Sequence, residues 1–295
     1  MRFGLVILPQ YDWPEAGRLW RRAEELGFDH AWTYDHLSWR GLAGERWHAT
    51  VPTLTAAATV TERIRLGTFV ASPNFRHPVP FAKDIATLDQ VSGGRVILGL
   101  GSGGTGFDAF VLGRAELTPR ERHERFREFT EALDALLRFE RSSGEGISYA
   151  GERYSAVSAR MVGEPAQHPR MPFLMAANGP KAMRLAARHG QGWVTTGGEA
   201  ESDTAWWDHL AGLVARLEDA LAAEGRDPEG FDRMLSLDSE ARYSMASVAA
   251  FEDAVGRARD LGFTDVVSHR PREQGLYAGS EDVLDEIAAR LPELR

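Results

Sequence analysis

The chain has 295 residues, a formal net charge of −9 and no cysteine. The lack of cysteine excludes disulfides, thiolate nucleophiles and Cys-ligated metals. An acidic chain without a block of basic residues is a poor candidate for binding nucleic acid. The first residues lead directly into a predicted strand without a signal-peptide layout, and no apolar run reaches membrane-spanning length. We therefore expect a cytoplasmic protein with neither a membrane nor a nucleic-acid partner.

Buried strands and helical segments alternate along the whole chain. Runs of β-branched and apolar residues without polar alternation predict strands covered on both faces. The predicted strands are residues 3–8, 28–33, 64–70, 96–98, 172–176, 192–195, 234–237 and 265–268. The predicted helices are residues 14–26, 50–60, 79–90, 120–137, 178–190, 206–223, 248–261 and 282–291.

This alternation predicts an α/β fold of right-handed βαβ units. Eight such units in under 300 residues favour a closed (β/α)8 TIM barrel over an open sheet. Residues 147–163 show no helical period, and we interpret the region 141–170 as an insertion between strands 4 and 5. No linker interrupts the chain, so residues 1–295 are predicted to form a single domain. Ligands of such barrels bind at the C-terminal ends of the strands.

The loop after the fourth strand is rich in glycine, at positions 99, 101, 103 and 104. Because the glycines have no Cβ atom, glycine at this density lets the backbone N–H groups of Gly101, Ser102 and Gly103 approach a ligand closely. The spacing also fits the dinucleotide fingerprint, but no helical period begins until near Pro119 and several βα units precede this loop. We therefore favour a cradle for a flavin-type phosphate or ring, with a Rossmann NAD site and a loop without ligand as alternatives.

Two further strand ends carry polar groups with a chemical use. His36 follows Asp35, and an imidazole at this position can donate or accept a proton near neutral pH; the alternative is a histidine that caps the next loop. Asn178 and Gly179 precede Pro180 at the start of a helix, where free N–H groups and the helix dipole favour a phosphate. The alternative there is an ordinary asparagine cap with proline near N1.

Aromatic residues in the predicted loops are candidates for a pocket wall. Trp39, Trp47 and Phe75 lie in loops at the expected barrel mouth and suit a flat ring, with simple loop packing as the alternative. Asp12 and Glu240 are possible carboxylic acids at strand ends, but nothing in the sequence pairs them. The histidines do not have the spacing of metal ligands, and we predict no metal site.

Taken in order, five segments resemble the bacterial luciferase-like superfamily of flavin-dependent oxidoreductases, and within it the branch that uses the deazaflavin coenzyme F420. They are GFDHAWTYDH at 27–36, RLGTFVASP at 65–73, SGGRVILGLGSG at 92–103, AANGP at 176–180 and GWV at 192–194. Each segment is unspecific alone, and the ordered set, which spans about two-thirds of the chain, is specific to the superfamily.

The resemblance implies where the coenzyme is held. The ring would lie at the C-terminal mouth of the barrel, backed by a bulge with a non-prolyl cis peptide between Phe69 and Val70. The phosphate arm would lie between the 101–103 loop and Ala177-Asn178-Gly179. His36 matches the active-site histidine of the deazaflavin branch, and homodimers are usual in the family.

The resemblance also bears on cofactor and substrate. An Asp-His pair after the second strand is typical of the deazaflavin enzymes, so we favour hydride transfer between F420 and a small organic substrate. The alternatives are an FMNH2-dependent monooxygenase, which would need a flavin reductase partner, and a non-catalytic member that only binds a ligand. Sugar-phosphate dehydrogenases of this branch carry a glutamate proton donor where this chain has Gly104, which argues against glucose 6-phosphate. Loops 37–49, 105–117 and 269–279 choose the substrate, and their sequence does not identify it.

Overall fold

Eight strands form a closed barrel in the computed structural model, which describes residues 1–104, 107–140, 142, 144–239 and 242–295. The barrel strands are β1 (Arg2–Val6), β2 (His30–Thr33), β3 (Arg65–Thr68), β4 (Val96–Leu100), β7 (Phe173–Ala176), β8 (Gly192–Thr195), β9 (Asp232–Ser236) and β10 (Asp265–His269). Their order around the barrel is β1-β10-β9-β8-β7-β4-β3-β2. The predicted (β/α)8 fold is confirmed.

Eight helices alternate with the barrel strands. They are α1 (Trp13–Glu25), α2 (Thr50–Val60), α3 (Pro78–Ser92), α4 (Pro119–Leu137), α5 (Pro180–His189), α6 (Asp203–Ala223), α7 (Val248–Asp260) and α8 (Glu281–Leu294). Their ends follow local signals: α4 begins with a capping box between Thr118 and Glu121, and Gly93 ends α3 with φ of 66°. Within the described residues, none of these helices has the length and apolar character needed to cross a bilayer.

Between α4 and β7 the chain forms a separate antiparallel hairpin of β5 (Ile147–Ala150) and β6 (Ser155–Ala159). The carboxylate of Glu128 on α4 fixes the hairpin turn, because it accepts hydrogen bonds from the backbone N–H groups of Arg153 at 2.9 Å and Tyr154 at 2.7 Å. Glu128 is buried, so these backbone donors supply the partners that its charge requires.

The chain packs as two compact units, each described below by itself. Unit one comprises residues 1–8, 18–32 and 174–295, and unit two comprises residues 9–17 and 33–173.

In unit one, Asp265 is the centre of a buried polar network. It accepts hydrogen bonds from Arg2 Nε at 2.7 Å and from His30 Nε2 at 3.1 Å. Trp32 donates its indole N–H to His30 Nδ1 at 2.6 Å, so the proton of a neutral His30 lies on Nε2 and faces the carboxylate. Burial alone would raise the pKa of Asp265, but the hydrogen bonds and charges of His30 and Arg2 outweigh it and lower the pKa to about 2.

In unit two, Arg95 fixes the start of β4. Its guanidinium group donates to the carbonyl of Ala58 at 2.8 Å, to the hydroxyl of Thr61 at 2.9 Å and to the carbonyl of Ile64 at 3.0 Å. These bonds tie β4 to the end of α2 and the approach to β3. They therefore fix the position of β4, and the opposite end of this strand leads into the glycine loop.

Candidate functional site

The exit of β3 has an unusual backbone. The peptide bond between Phe69 and Val70 is cis, which confirms the prediction made from the family resemblance. Strand β4 comes very close here, since a Cβ atom at Gly99 would lie 2.0 Å from the Thr68 carbonyl oxygen and 3.1 Å from a methyl carbon of Val70. Only glycine fits at position 99. The part of Phe69 and Val70 in holding a cofactor remains a prediction.

His36 lies just beyond β2 and is held by a residue that the sequence did not single out. Its Nδ1 is 2.9 Å from Oδ2 of Asp108, whose side chain is only 5% exposed. A carboxylate only accepts, so His36 carries a proton on Nδ1. His36 is partly exposed, and among the described residues no group hydrogen-bonds its Nε2. Nε2 is therefore the atom that can exchange a proton with a ligand.

Asp35 has a different environment from its neighbour His36. Its carboxylate is buried and accepts two hydrogen bonds from Arg76, from Nη2 at 2.6 Å and from Nε at 3.1 Å. The Arg76 guanidinium also lies over the rings of Phe75 and Phe81, at 4.8 and 4.9 Å from their centroids. This bidentate pair holds the Asp35 carboxylate in place, and Phe75 packs against the partner, Arg76. The catalytic part of Asp35 remains a prediction.

Tyr34 is the centre of an aromatic cluster beside His36. Its ring centroid lies 5.2 Å from that of Trp39 and 6.3 Å from that of Trp47, and Tyr34 stacks on Phe69 at 6.3 Å. The His36 ring lies edge-on to Tyr34 at 6.0 Å, and Trp47 donates its indole N–H to the His36 carbonyl at 2.9 Å. Two of the three predicted wall residues, Trp39 and Trp47, thus pack around Tyr34 together with His36 and with Phe69 of the cis peptide.

In the described part of the glycine loop, Gly103 approaches Asn74 closely because it has no side chain. Gly103 has φ of 74°, and a Cβ atom there would lie 2.5 Å from Oδ1 of Asn74. Gly101 donates its N–H to the Ala71 carbonyl at 2.9 Å, whereas Ser102 and Gly103 are partly exposed. Valine at position 103 would displace Asn74 and strain the backbone. The substitution would therefore lower the stability of the fold as well as affect a bound ligand.

Asn178 lies in unit one and is not a helix cap. Its Oδ1 accepts a hydrogen bond from the hydroxyl of Thr195 at 2.7 Å, and the N-cap of α5 is Gly179, without a side-chain cap bond. The Ala177 carbonyl accepts from the indole of Trp193 at 2.5 Å. The alternative of an ordinary asparagine cap is therefore wrong. The 101–103 loop belongs to unit two, and a shared phosphate cradle remains a prediction.

Of the two candidate carboxylic acids, Asp12 and Glu240, the structure describes Asp12. Asp12 forms an exposed ion pair with Arg46 at 2.8 Å, which places it on the surface rather than among the groups around His36. Glu240 lies outside the described residues, as do residues 105–106 of the loop expected to choose the substrate.

Residues 1–269 match the family model described as luciferase-like monooxygenase. The F420-dependent glucose-6-phosphate dehydrogenase of Nakamurella multipartita is 31% identical over 99% of this chain and 80% of its own length. That of Beutenbergia cavernae is 41% identical, over 73% of this chain and 60% of its own length. An F420-dependent secondary alcohol dehydrogenase, solved with an F420–acetone adduct, superposes with a TM-score of 0.82 at 17% identity, covering 100% of this chain and 99% of that one. The chain belongs to the luciferase-like monooxygenase family.

Proposed function

We propose that this protein is an F420-dependent oxidoreductase that transfers a hydride between the deazaflavin coenzyme and a small organic substrate. The observation that carries the proposal is His36, fixed at Nδ1 by Asp108 and open at Nε2, beside the Tyr34 cluster and the cis peptide. The names of the relatives support F420 over FMN as the coenzyme.

The residues present fit such a coenzyme. Trp39 and Trp47, which pack on the buried Tyr34, offer apolar surface for a flat ring, and glycine at 103 lets the loop approach Asn74 where a side chain would collide. Phe69 and Val70 would hold the ring. The 101–103 loop and residues 177–179 would hold the phosphate arm. When bound, the coenzyme supplies the hydride chemistry.

Residues of the chain itself accept or donate the proton that accompanies the hydride. Oxidation of an alcohol releases a proton from its oxygen and reduction of a carbonyl takes one up, and Nε2 of His36 exchanges this proton. Asp108 holds the imidazole in the tautomer with the proton on Nδ1, which leaves the Nε2 lone pair free to accept. The Asp35–Arg76 ion pair anchors the backbone before His36, and Trp47 anchors it through the His36 carbonyl.

The substrate is proposed to differ from that in the relatives' names. The carboxylate donor that the resemblance places after the glycine loop is replaced by Gly104, which is exposed and has no atom within 4 Å of a Cβ position in the described structure. His36 is then left as the proton donor or acceptor for this substrate. We therefore propose that glucose 6-phosphate is not the substrate.

Binding of F420 and FMN to the purified protein, followed by fluorescence, tests the cofactor. We expect F420 to bind and its reduced form to transfer a hydride to an accepted substrate in a single turnover. Binding of FMN alone would instead support a monooxygenase with a separate reductase, and binding of neither would support a non-catalytic member. The His36→Ala variant serves as a control that keeps cofactor binding and loses turnover.

We also propose that the protein is a homodimer and acts in the cytoplasm. The resemblance to the luciferase-like superfamily, in which homodimers are usual, supports the dimer. Light scattering coupled to gel filtration tests the dimer, and a single monomer mass across the concentration range would contradict it.

A further inference from the structure

The short segment after Asp108 carries apolar side chains on its surface. Phe110 to Gly113 form a tight turn, which is closed by a hydrogen bond from the Gly113 N–H to the Phe110 carbonyl at 2.8 Å. Val111 and Leu112 are the two central residues of this turn, and they are 57% and 53% exposed. Turns on a protein surface usually place glycine, proline, asparagine, aspartate or serine at such positions. Turn geometry therefore gives no reason for a valine and a leucine in contact with water here.

This turn is tied to the candidate proton-transfer site. Asp108, three residues before Val111, lies 2.9 Å from Nδ1 of His36. Because each residue adds at most about 3.6 Å to the reach of the chain, the backbone of Val111 lies within about 11 Å of that of Asp108. Leu37, which directly follows His36, is also exposed. Exposed apolar side chains thus lie close to the imidazole on two loops, the one after β2 and the one after β4.

Exposed apolar side chains are concentrated at this place. Within the described ranges, the large hydrophobic residues with an exposed side chain are Trp13, Leu37, Val91, Phe110, Val111, Leu112, Val157 and Val162. Half of them are within four residues of His36 or of its partner Asp108. Exposed hydrophobic residues that are scattered singly are normal on a protein surface, whereas a cluster of them marks a site of interaction.

Two tryptophans extend the apolar surface beside the imidazole. Trp39 and Trp47 are partly exposed, and both pack on Tyr34, whose ring lies edge-on to His36. The guanidinium group of Arg40 lies over the Trp39 ring, 5.3 Å from its centroid. A sugar would set its hydroxyl groups against such a surface and lose hydrogen bonds to water, whereas an apolar skeleton would remove the surface from water.

We propose that the substrate is an apolar alcohol or the matching carbonyl compound, and that Val111 and Leu112 contact its carbon skeleton. This inference rests on the proposed function and names the substrate class for the same site. In the oxidation, the C–H bond at the alcohol carbon breaks and its hydride passes to the oxidised coenzyme, while the O–H proton moves to Nε2 of His36 and the C=O bond forms. Reduction of the carbonyl compound is the reverse. Val111 and Leu112 take no part in these steps and determine which skeleton is accepted.

The dependence of kcat/KM on chain length tests the proposal. The probes are the unbranched 2-alkanols from 2-butanol to 2-octanol with F420, and the matching 2-alkanones with its reduced form. A methylene group that is fully buried on binding contributes about fourfold, so we expect about two- to fourfold per added methylene in the wild type, because a surface turn covers a chain only in part. Replacing both Val111 and Leu112 by serine should lower this factor to below about 1.5-fold. The matched control is Val157→Ser, which changes an exposed valine on β6 and should keep the wild-type factor.

Binding of the neutral apolar dye Nile red gives a second readout that needs neither coenzyme nor turnover. We expect the wild type to bind the dye and 2-octanol to displace it. The Val111→Ser, Leu112→Ser double variant should bind the dye at least about fivefold more weakly, whereas Val157→Ser should bind it as the wild type does. Serine is a common turn residue, so the double variant is expected to keep the turn and the fold. Equal dye affinity in the wild type and the double variant would overturn the proposal.

Three kinetic or hydrodynamic results would also overturn it. A chain-length factor near one in a wild type that binds F420 and turns over polar alcohols would mean that the substrate is polar. An equal factor in the wild type and the double variant would mean that the turn does not contact the skeleton. A lower mass of the double variant in light scattering would mean that a second copy of the chain covers the turn.

Failure of the proposed function gives a different result. The wild type would then bind no F420 and transfer no hydride to any 2-alkanone, while Nile red binding would still depend on Val111 and Leu112. That outcome would refute the redox chemistry and would support an apolar ligand at this turn.

Discussion

Replacement of Asp108 by asparagine tests the core of the proposed chemistry. The change keeps the size of the side chain but removes the charge that lies 2.9 Å from Nδ1 of His36. The Asp108 side chain is 5% exposed, so solvent does not replace the lost charge. A hydrogen bond to a charged group is worth about 1.5–3 kcal/mol. At 1.36 kcal/mol per factor of ten, its loss corresponds to a rate decrease of about 10- to 150-fold.

The assay is single-turnover hydride transfer with reduced coenzyme and any accepted substrate, together with the coenzyme Kd from fluorescence. We expect the rate of Asp108→Asn to fall by the stated factor, with a Kd within about twofold of the wild type, because Asp108 acts on the histidine. Asp84→Asn makes the same chemical change at an exposed position on α3 and should leave both quantities unchanged.

Two outcomes would refute this reasoning. An Asp108→Asn variant with the wild-type rate would mean that the charge of Asp108 does not act on the imidazole, and the part assigned to Asp108 would then be wrong. A parallel loss of rate and coenzyme affinity would mean that Asp108 shapes the loop instead of the imidazole.

The remaining predictions concern four other positions. His36→Ala should lower turnover by about 10²–10⁴ with little change in coenzyme Kd, and His36→Asn should recover part of the loss only if hydrogen bonding is the main role; wild-type turnover in His36→Ala would contradict this. Gly103→Val should weaken coenzyme binding and also lower Tm, because it requires a left-handed φ and collides with Asn74; an unchanged Tm with normal affinity would place the cradle elsewhere. Gly104→Glu should fold with a Tm close to that of the wild type, since its side chain enters open space, and calorimetry checks this. The difference in free energy of unfolding between the wild type and Asp265→Asn should shrink as pH falls from about 4 to about 2. A carboxylate whose pKa is lowered by folding stabilises the folded state only while it is ionised, and this stabilisation is lost as the carboxylate is protonated. The lowering of the Asp265 pKa from 3.8 to about 2 corresponds to about 2.5 kcal/mol of folding stability, which urea unfolding at a series of pH values measures.

The alternation of strands and helices was predictable because each element carries its own periodicity and its own end signals. The third strand shows the limit of this approach. Periodicity predicts a strand over 64–70, whereas β3 ends at Thr68, just before the cis peptide bond between Phe69 and Val70. That bond has no signature in hydrophobic pattern, and only the resemblance to a family indicated it.

The partners within the candidate site were not predictable from the sequence. His36 stands out as a histidine at a strand end, but its partner Asp108 is 72 residues away, and the Arg76 that neutralises Asp35 is 41 residues away. Such pairs are set by which strand exits meet, and local pattern carries no signal for that. Arg125 of α4, which donates from Nη2 to Oδ1 of Asn74 at 2.6 Å, could not be predicted for a related reason, since in the sequence it looks like part of the solvated face of a charge-rich helix.

Among the described residues of unit two, three side-chain pairs connect the loops that leave β2, β3 and β4 with one another and with helix α4. They are Asp35–Arg76, His36–Asp108 and Asn74–Arg125. The loop after β3 contributes to two of them, because Asn74 accepts a hydrogen bond from Arg125 and Arg76, two residues later, holds the carboxylate before the histidine. Gly103→Val, which displaces Asn74, would therefore act on the same short loop that holds Asp35 beside His36.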